Sequence, residues 1–358
     1  MSATLDRLIA TRIRQDVQSM HAYAIQDSTG MVKLDAMENP HRLPSALRRE
    51  LGERLAAVAL NRYPGERVGD LRAALARHAR LPAGFDLMLG NGSDELISLL
   101  AMACDVPGAA ILAPLPGFVM YEMSARLQGL KFVGVDLTPE LELDEKAMLD
   151  AIALHQPAIV YLAYPNNPTA NLWNDATIEK IVEAAPGLVV IDEAYQPFAS
   201  RSYLDRVTKH EHVLLMRTLS KFGLAGVRIG YMMGPAPLIA QVDKVRPPYN
   251  VSVLNCEAAL FAIEHEDVFA AQAAELKSER ARLQSALKAM GLKSWPSDAN
   301  MILVRVPDAA RSFEGMKARK VLVKNVSRMH PLLAGCLRLT VGTAEENTQM
   351  LAALQSTL

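Results

Sequence analysis

The 358-residue sequence predicts an α/β fold, a large domain with a mostly parallel central sheet covered by helices, followed by a smaller α+β domain. Two observations carry that expectation. From about residue 86 to residue 234, short, continuous, β-rich apolar runs alternate with helical segments. That is the pattern of strands buried on both faces by crossover helices. Polar clusters punctuate the ends of these runs, at 90–94, 164–169, 192–195 and 218–221, where open parallel sheets place their ligands.

Residues 1–37 read as a short helix over about 4–20, an extended arm carrying Tyr23, and a strand in MVKLDAM. ENP at 38–40 breaks that strand, and a helical pattern resumes after Pro44. Tyr63-Pro64-Gly65 is a turn that leaves the tyrosine exposed, and the helix from about Val68 turns Leu71, Ala74, Leu75 and His78 to one face. A strand at 86–89 meets Gly90, Asn91 and Gly92, after which Ser93 or Asp94 caps the next helix. Strands follow at 109–114, 131–137, 158–164, 188–195, 212–217 and 228–234, with helices over 117–129, 143–155 and 175–185. Residues 264–290 read as one long charged amphipathic helix, a solvated connector to strands at 301–306, 320–326 and 336–342. Helices near 308–319 and 345–357 complete the chain. The expected division is an N-terminal arm (1–38) packing with the small domain, a large domain (39–263) and a small domain (264–358).

Composition narrows the function. A net charge of −1 with interspersed signs lacks the basic excess of a nucleic-acid surface. No apolar run approaches the ~18 residues of a membrane span, and the first residues lack a signal peptide's apolar core, so a cytoplasmic protein is expected. Cys104, Cys256 and Cys336 are widely spaced and apolar in context, reading as buried thiols in a reducing compartment. The eight histidines show no metal spacing, and no metal is expected.

The strand-end residues point to chemistry. A lysine just past an apolar strand, Lys221, can lose its proton in a cleft and attack a carbonyl. Thr218, Ser220 and Arg228 can hold a phosphate beside it, as can a glycine turn at a helix start such as 90–94. Asn167 lies in the proline-fixed loop PNNPT, Asp192 ends an apolar strand, and Tyr195 follows three residues on. An amine, a carboxylate, a phenol, an amide and a phosphate cradle at neighbouring strand ends match one cofactor, pyridoxal 5′-phosphate.

Taken in order, YPG, GSDEL, PNNPT, DEAY, RTLSK, GLAGVRIGY and CLRLTVG resemble the fold-type-I pyridoxal-phosphate-dependent aminotransferases, from residue 38 to residue 343. Within them the resemblance is to the histidinol-phosphate branch of histidine biosynthesis. It implies that Lys221 forms the Schiff base and shuttles a proton, and that Asp192 pairs with the pyridinium nitrogen. Tyr195 and Asn167 would bond the ring hydroxyl oxygen, and Phe118 would stack on the ring. Ser93, Asp94, Thr218, Ser220 and Arg228 would hold the phosphate, joined by Tyr63 from the partner of a homodimer. Arg338 would bind the carboxylate of glutamate and the phosphate of histidinol phosphate, with Tyr23, Asn39 and Tyr249 lining the pocket. Lys324 stands where other members carry a second arginine, and a lysine lacks the two-pronged grip. The implied reaction exchanges histidinol phosphate and 2-oxoglutarate for imidazole-acetol phosphate and glutamate. A phosphothreonine decarboxylase or an aromatic amino-acid transaminase on the same scaffold is the rival. A non-catalytic effector domain is disfavoured by the presence of Lys221, and a Rossmann dehydrogenase by the absence of GxGxxG spacing in GNGSDE.

Overall fold

A computed structural model of the chain describes residues 3–20 and 26–358. The strands in chain order are β1 (Val32–Lys33), β2 (Phe85–Asn91), β3 (Ala110–Leu115), β4 (Lys131–Asp136), β5 (Ile159–Ala163), β6 (Leu188–Asp192), β7 (Val213–Thr218) and β8 (Ile229–Pro235). In the C-terminal part they are β9 (Lys293–Ser294), β10 (Met301–Arg305), β11 (Val321–Leu322), β12 (Lys324–Asn325) and β13 (Cys336–Thr340). Seven form one sheet in the order β2-β8-β7-β6-β5-β3-β4. It is mostly parallel, as the alternating pattern implies, but β8 runs antiparallel to both β2 and β7. The chain can make that reversal because Ser220–Leu224, one irregular turn, and Ala225–Val227 fold back directly without a crossover helix.

The central strands are apolar throughout because both faces are covered. Leu162, Val189, Ile191 and Leu215 pack into one cluster with Trp173 and Tyr203. Their neighbours Tyr161, Ala163, Val190, Leu214 and Met216 pack into another with Leu96, Ile97 and Tyr121. Adjacent residues on a strand point to opposite faces, so every position finds an apolar neighbour. Each such side chain contributes about 1.5–3 kcal/mol relative to exposure.

The C-terminal strands form an antiparallel sheet, β12-β13-β10-β9, with its own apolar cluster around Ile302, Val304, Leu337 and Leu339. The run expected as one strand at 320–326 is split. β11 pairs parallel with β1, while β12 pairs with β13, and the intervening Val323 is fully buried. The helical segment 264–290 also differs from its reading as a solvated connector. It begins anew at Glu266 after His265 leaves helical geometry, and Glu266–Ala289 buries Phe269, Ala273, Leu276, Leu283 and Leu287. The charges occupy its outer flanks and hide a stripe of helical period. The first thirty residues form a unit of their own, with two helices, Ala3–Arg12 and Gln15–Ser19, where one helix is expected.

A buried ion pair fixes the ends of β6 and β7 against each other. Arg217 donates from Nε to Glu193 Oε2 at 2.9 Å, and its Nη2 lies 2.8 Å from the same oxygen. The other carboxylate oxygen accepts from Ser202 Oγ at 2.8 Å and Tyr203 N at 2.6 Å. Glu193 is 1% and Arg217 8% exposed. Arg217→Met strands that carboxylate without a cation and should cost about 3–5 kcal/mol. The double change Glu193→Gln, Arg217→Met should cost less than Arg217→Met alone. Denaturant unfolding of the three proteins checks both.

Candidate active site

Asp192 ends β6 as a buried carboxylate, 3% exposed. Its Oδ1 accepts from Ala194 N at 3.0 Å and its Oδ2 from the Tyr121 hydroxyl at 2.7 Å. Burial raises its pKa to about 6, although both hydrogen bonds pull the other way. Among the described residues no lysine, arginine or histidine pairs with it. A carboxylate in that position suits a ligand that brings a cationic N–H.

Lys221 lies one turn beyond β7, and its Nζ donates to the carbonyl of Ala36 at 3.0 Å. Burial, with help from the charges of Arg338 and Arg228, lowers its pKa to about 8. Arg338 projects from β13 and is buried. It donates to the carbonyl of Asp35 at 2.6 Å and to Asn167 Oδ1 at 2.7 Å. Neighbouring carbonyls of one backbone segment therefore hold the amine and the guanidinium. That segment is pinned from the small sheet: Met37 N donates to Thr340 Oγ1 at 3.1 Å, and Asn300 Nδ2 to Met37 O at 3.0 Å. Lys324 faces Arg338 directly across the β12–β13 pair, which puts two cations on one face of the sheet.

The phosphate-sized feature lies at the start of the helix Ser93–Ala103. Gly92 is the N-cap, at φ 77°, rather than the expected Ser93 or Asp94, and no side chain caps the helix. The reason is close approach. A Cβ on Gly92 would stand 2.5 Å from Arg228 Nη2, and one on Gly230 2.6 Å from Ser93 N. Arg228 itself adopts φ 57° and reaches Ser220 Oγ at 3.3 Å and Asp94 Oδ2 at 3.2 Å. Thr218 Oγ1 donates to the Ile229 carbonyl and lies 3.0 Å from Ser220 Oγ. A guanidinium, two hydroxyls and the bare N–H groups of a helix start form an anion cradle.

Tyr195 is buried beside Asp192, and desolvation raises its pKa. Phe118 precedes the helix Val119–Gln128, with its ring edge-on to Tyr121 at 5.6 Å. Asn39 donates to Gln272 Oε1 at 3.0 Å and accepts from His41 N at 2.9 Å, tying the ENP segment to the helix Glu266–Ala289. Tyr63 and Tyr249 stack on each other at 4.2 Å in the open, 74% and 56% exposed. Tyr23 lies outside the described residues. Sequence reasoning missed Tyr121, whose signal was its place three residues after Phe118 on a helix start. It also missed Glu193 and Arg217, each inside a motif otherwise read for its neighbours. All three cysteines are free, Cys256 and Cys336 buried and Cys104 partly so.

The residues fit pyridoxal phosphate on this geometry, with a carboxylate open to a cationic ring nitrogen, a lysine of lowered pKa and an anion cradle. Comparison with known proteins agrees. The family model described as aminotransferase class I and II matches residues 29–354. Histidinol-phosphate aminotransferase of Polaromonas naphthalenivorans is 72% identical over 360 residues, covering 99% of this chain and 99% of that one. The enzyme of that name from Methylibium petroleiphilum is 74% identical over 354 residues, 98% of this chain and 95% of that one. The crystal structure of histidinol-phosphate aminotransferase from Sinorhizobium meliloti in complex with pyridoxal-5′-phosphate superposes with a TM-score of 0.83 at 25% identity, covering 97% of each chain.

The lowered pKa of Lys221 has a thermodynamic consequence. Between about pH 8 and the ordinary lysine range the unfolded chain binds more protons than the folded one, so stability from this group rises with pH there. Below that window the buried ammonium is a burden. Lys221→Met should stabilise the cofactor-free protein at pH 7 by on the order of 1–3 kcal/mol, the full effect of the shift less the lost hydrogen bond to Ala36. The gain should shrink as pH rises through 8 and be lost only above the ordinary lysine value. Thermal melts across that range measure it.

Proposed function

We infer, for a chain that belongs to the aminotransferase class I and II family, a pyridoxal 5′-phosphate-dependent transaminase of histidine biosynthesis. It interconverts histidinol phosphate plus 2-oxoglutarate and imidazole-acetol phosphate plus glutamate. One observation carries the reading: the Lys221 amine and the Arg338 guanidinium sit on the successive carbonyls of Ala36 and Asp35. An amine that reacts and a cation that binds an anionic substrate are thereby held at a common wall.

Bound pyridoxal phosphate supplies an aldehyde for condensation with amines and a ring that withdraws electrons from a substrate carbon. Lys221, with its pKa lowered to about 8, is neutral often enough near neutral pH to act as nucleophile, and holds and returns the transferred proton at Nζ. Asp192 would hold the ring nitrogen as a carboxylate, Tyr195 and Asn167 would hold the ring hydroxyl oxygen, and Phe118 would cover the ring. Ser93 and Asp94 offer helix-start N–H groups to the phosphate, because the Asp94 carboxylate is already paired with Arg228. Thr218, Ser220 and Arg228 complete that cradle.

Arg338 binds the carboxylate of glutamate in one half-reaction and the phosphate of histidinol phosphate in the other. It then exchanges the Asp35 carbonyl and Asn167 oxygen for the ligand. Lys324, opposite it in the sheet, adds a second charge for a dianion. Asn39 and Tyr249 line the pocket. The active unit is a homodimer in which Tyr63 reaches the phosphate of the partner's site; its exposed ring supports this. The chain reads as an arm (1–38), a large domain (39–263) and a small domain (264–358). The distinct seven-stranded and four-stranded sheets support the division into large and small domains, and the pairing of β1 with β11 ties the end of the arm to the small domain. The setting is the cytoplasm; among the described residues no helix is long and apolar enough to cross a membrane.

The test is the visible spectrum of the pyridoxal-phosphate-loaded protein. Histidinol phosphate without acceptor should abolish the cofactor's visible band, and 2-oxoglutarate should restore it. A band that ignores histidinol phosphate but responds to phosphothreonine with release of carbon dioxide overturns the reading in favour of a decarboxylase. Lys221→Ala should lose turnover by several orders of magnitude along with that band. Lys324→Ala should raise the KM for histidinol phosphate about tenfold, the loss of one charged hydrogen bond, with little change in kcat.

A further inference from the structure

The Asp192 carboxylate is held by an unexpected neighbour. Tyr121 stands in the first turn of the helix Val119–Gln128, 2% exposed, and its hydroxyl donates to Asp192 Oδ2 at 2.7 Å. Its ring is locked on both sides: it stacks on Tyr161 of β5 at 4.3 Å and 6°, and meets Phe118 edge-on. The other donor to the carboxylate is a backbone N–H, that of Ala194. Of the side chains around Asp192, Asp94 and Glu193 are acids that oppose its ionisation, and Tyr161 and Tyr195 are neutral phenols. Glu193 spends its own cation, Arg217, on itself.

We propose that Tyr121 is a positioning residue: through its hydrogen bond it keeps Asp192 ionised and aimed where, among the described residues, no cation pairs with that carboxylate, and so tunes the hold on the cofactor's ring nitrogen. This rests on the reading of the site as one for pyridoxal phosphate. The physical argument is independent of it. A buried carboxylate shifts toward its neutral form unless hydrogen bonds favour the charged one. The carboxyl already stands at about 6 with both bonds in place. Without the phenol it rises further, and near neutral pH a neutral carboxyl no longer attracts a protonated ring nitrogen. Tyr161 supplies the internal control. It shares the stack, is fully buried, and among the described residues its hydroxyl has no hydrogen-bond partner.

Tyr121→Phe and Tyr161→Phe are compared with the parent in two measurements. In the cofactor-free protein, the melting temperature is followed from pH 5 to pH 8.5. The folded carboxyl binds its proton more tightly than the unfolded one, so the stability from protonated Asp192 falls as pH rises through that interval. In the parent this loss is complete just above the folded value of about 6; in Tyr121→Phe it continues to higher pH. The gap between parent and Tyr121→Phe should therefore widen with pH, while that between parent and Tyr161→Phe stays constant. In the second measurement, pyridoxal phosphate is titrated at pH 7.5, and Tyr121→Phe should bind it about tenfold more weakly, the effect of one charge-assisted hydrogen bond. The acidic limb of its kcat/KM profile should also move to higher pH. A Tyr121→Phe protein that tracks Tyr161→Phe in both measurements overturns the proposal. So does a widening melting gap with unchanged cofactor affinity, which makes Tyr121 a structural partner only. A parent protein that takes up no pyridoxal phosphate overturns the functional reading itself, while the melting series still reports whether the phenol and the carboxylate are coupled.

Discussion

Two carboxylates, Asp192 and Glu193, follow one another at the end of a strand with almost no access to water. Removing a charge from water costs several kcal/mol unless something answers it, and the surrounding structure is arranged around that demand. Glu193 is answered fully, by Arg217 from the next strand and by donors from the loop 202–203. Among the described residues Asp192 is answered only by neutral donors. The contrast separates scaffold from site. The first pair ties β6 to β7 and so sets the spacing between the carboxylate and Lys221. The second residue keeps an unmet preference for positive charge.

The opposite excess lies close by. Lys221, Arg228 and Arg338 bring positive charge to the same region, with Lys324 opposite Arg338 in the sheet, and the charges of Arg338 and Arg228 add to burial in lowering the pKa of the lysine. Backbone carbonyls of Asp35 and Ala36 and the side chain of Asn167 hold two of these cations in place. Because Thr340 and Asn300 fix the same backbone segment to the small sheet, the reactive amine and the substrate cation share one mechanical support. An amine and a guanidinium held by carbonyl and amide oxygens suit ligands carrying a phosphate and a carboxylate, since those anions can take the place of such oxygens.

Much of this was legible in the residues alone, for local reasons. The apolar runs that became β5, β6 and β7 declare themselves through continuous burial on both faces, and the glycines at 90 and 92 through a turn that admits no Cβ. Asp192, Lys221 and the hydroxyls at 218 and 220 sit at strand ends because strand ends are where such runs stop. The misreadings are equally physical. The charges on the amphipathic helix Glu266–Ala289 made it look like a solvated connector although its apolar face is buried, and Ser93 looked like a cap although Arg228, far along the chain, occupies the space over Gly92.

The sequence by itself therefore determined the layered α/β architecture, the strand-end clusters and the chemical types gathered there, since each follows from periodicity and from what a turn or a buried strand tolerates. Tertiary structure alone decided who partners whom. The Tyr121 hydroxyl meets a carboxylate 71 residues away, the Lys221 amine a carbonyl 185 residues away, and β8 reverses direction between two strands. Such choices depend on how separate elements are brought together in space, and on which buried charge each contact must satisfy, neither of which is written in any local stretch of chain.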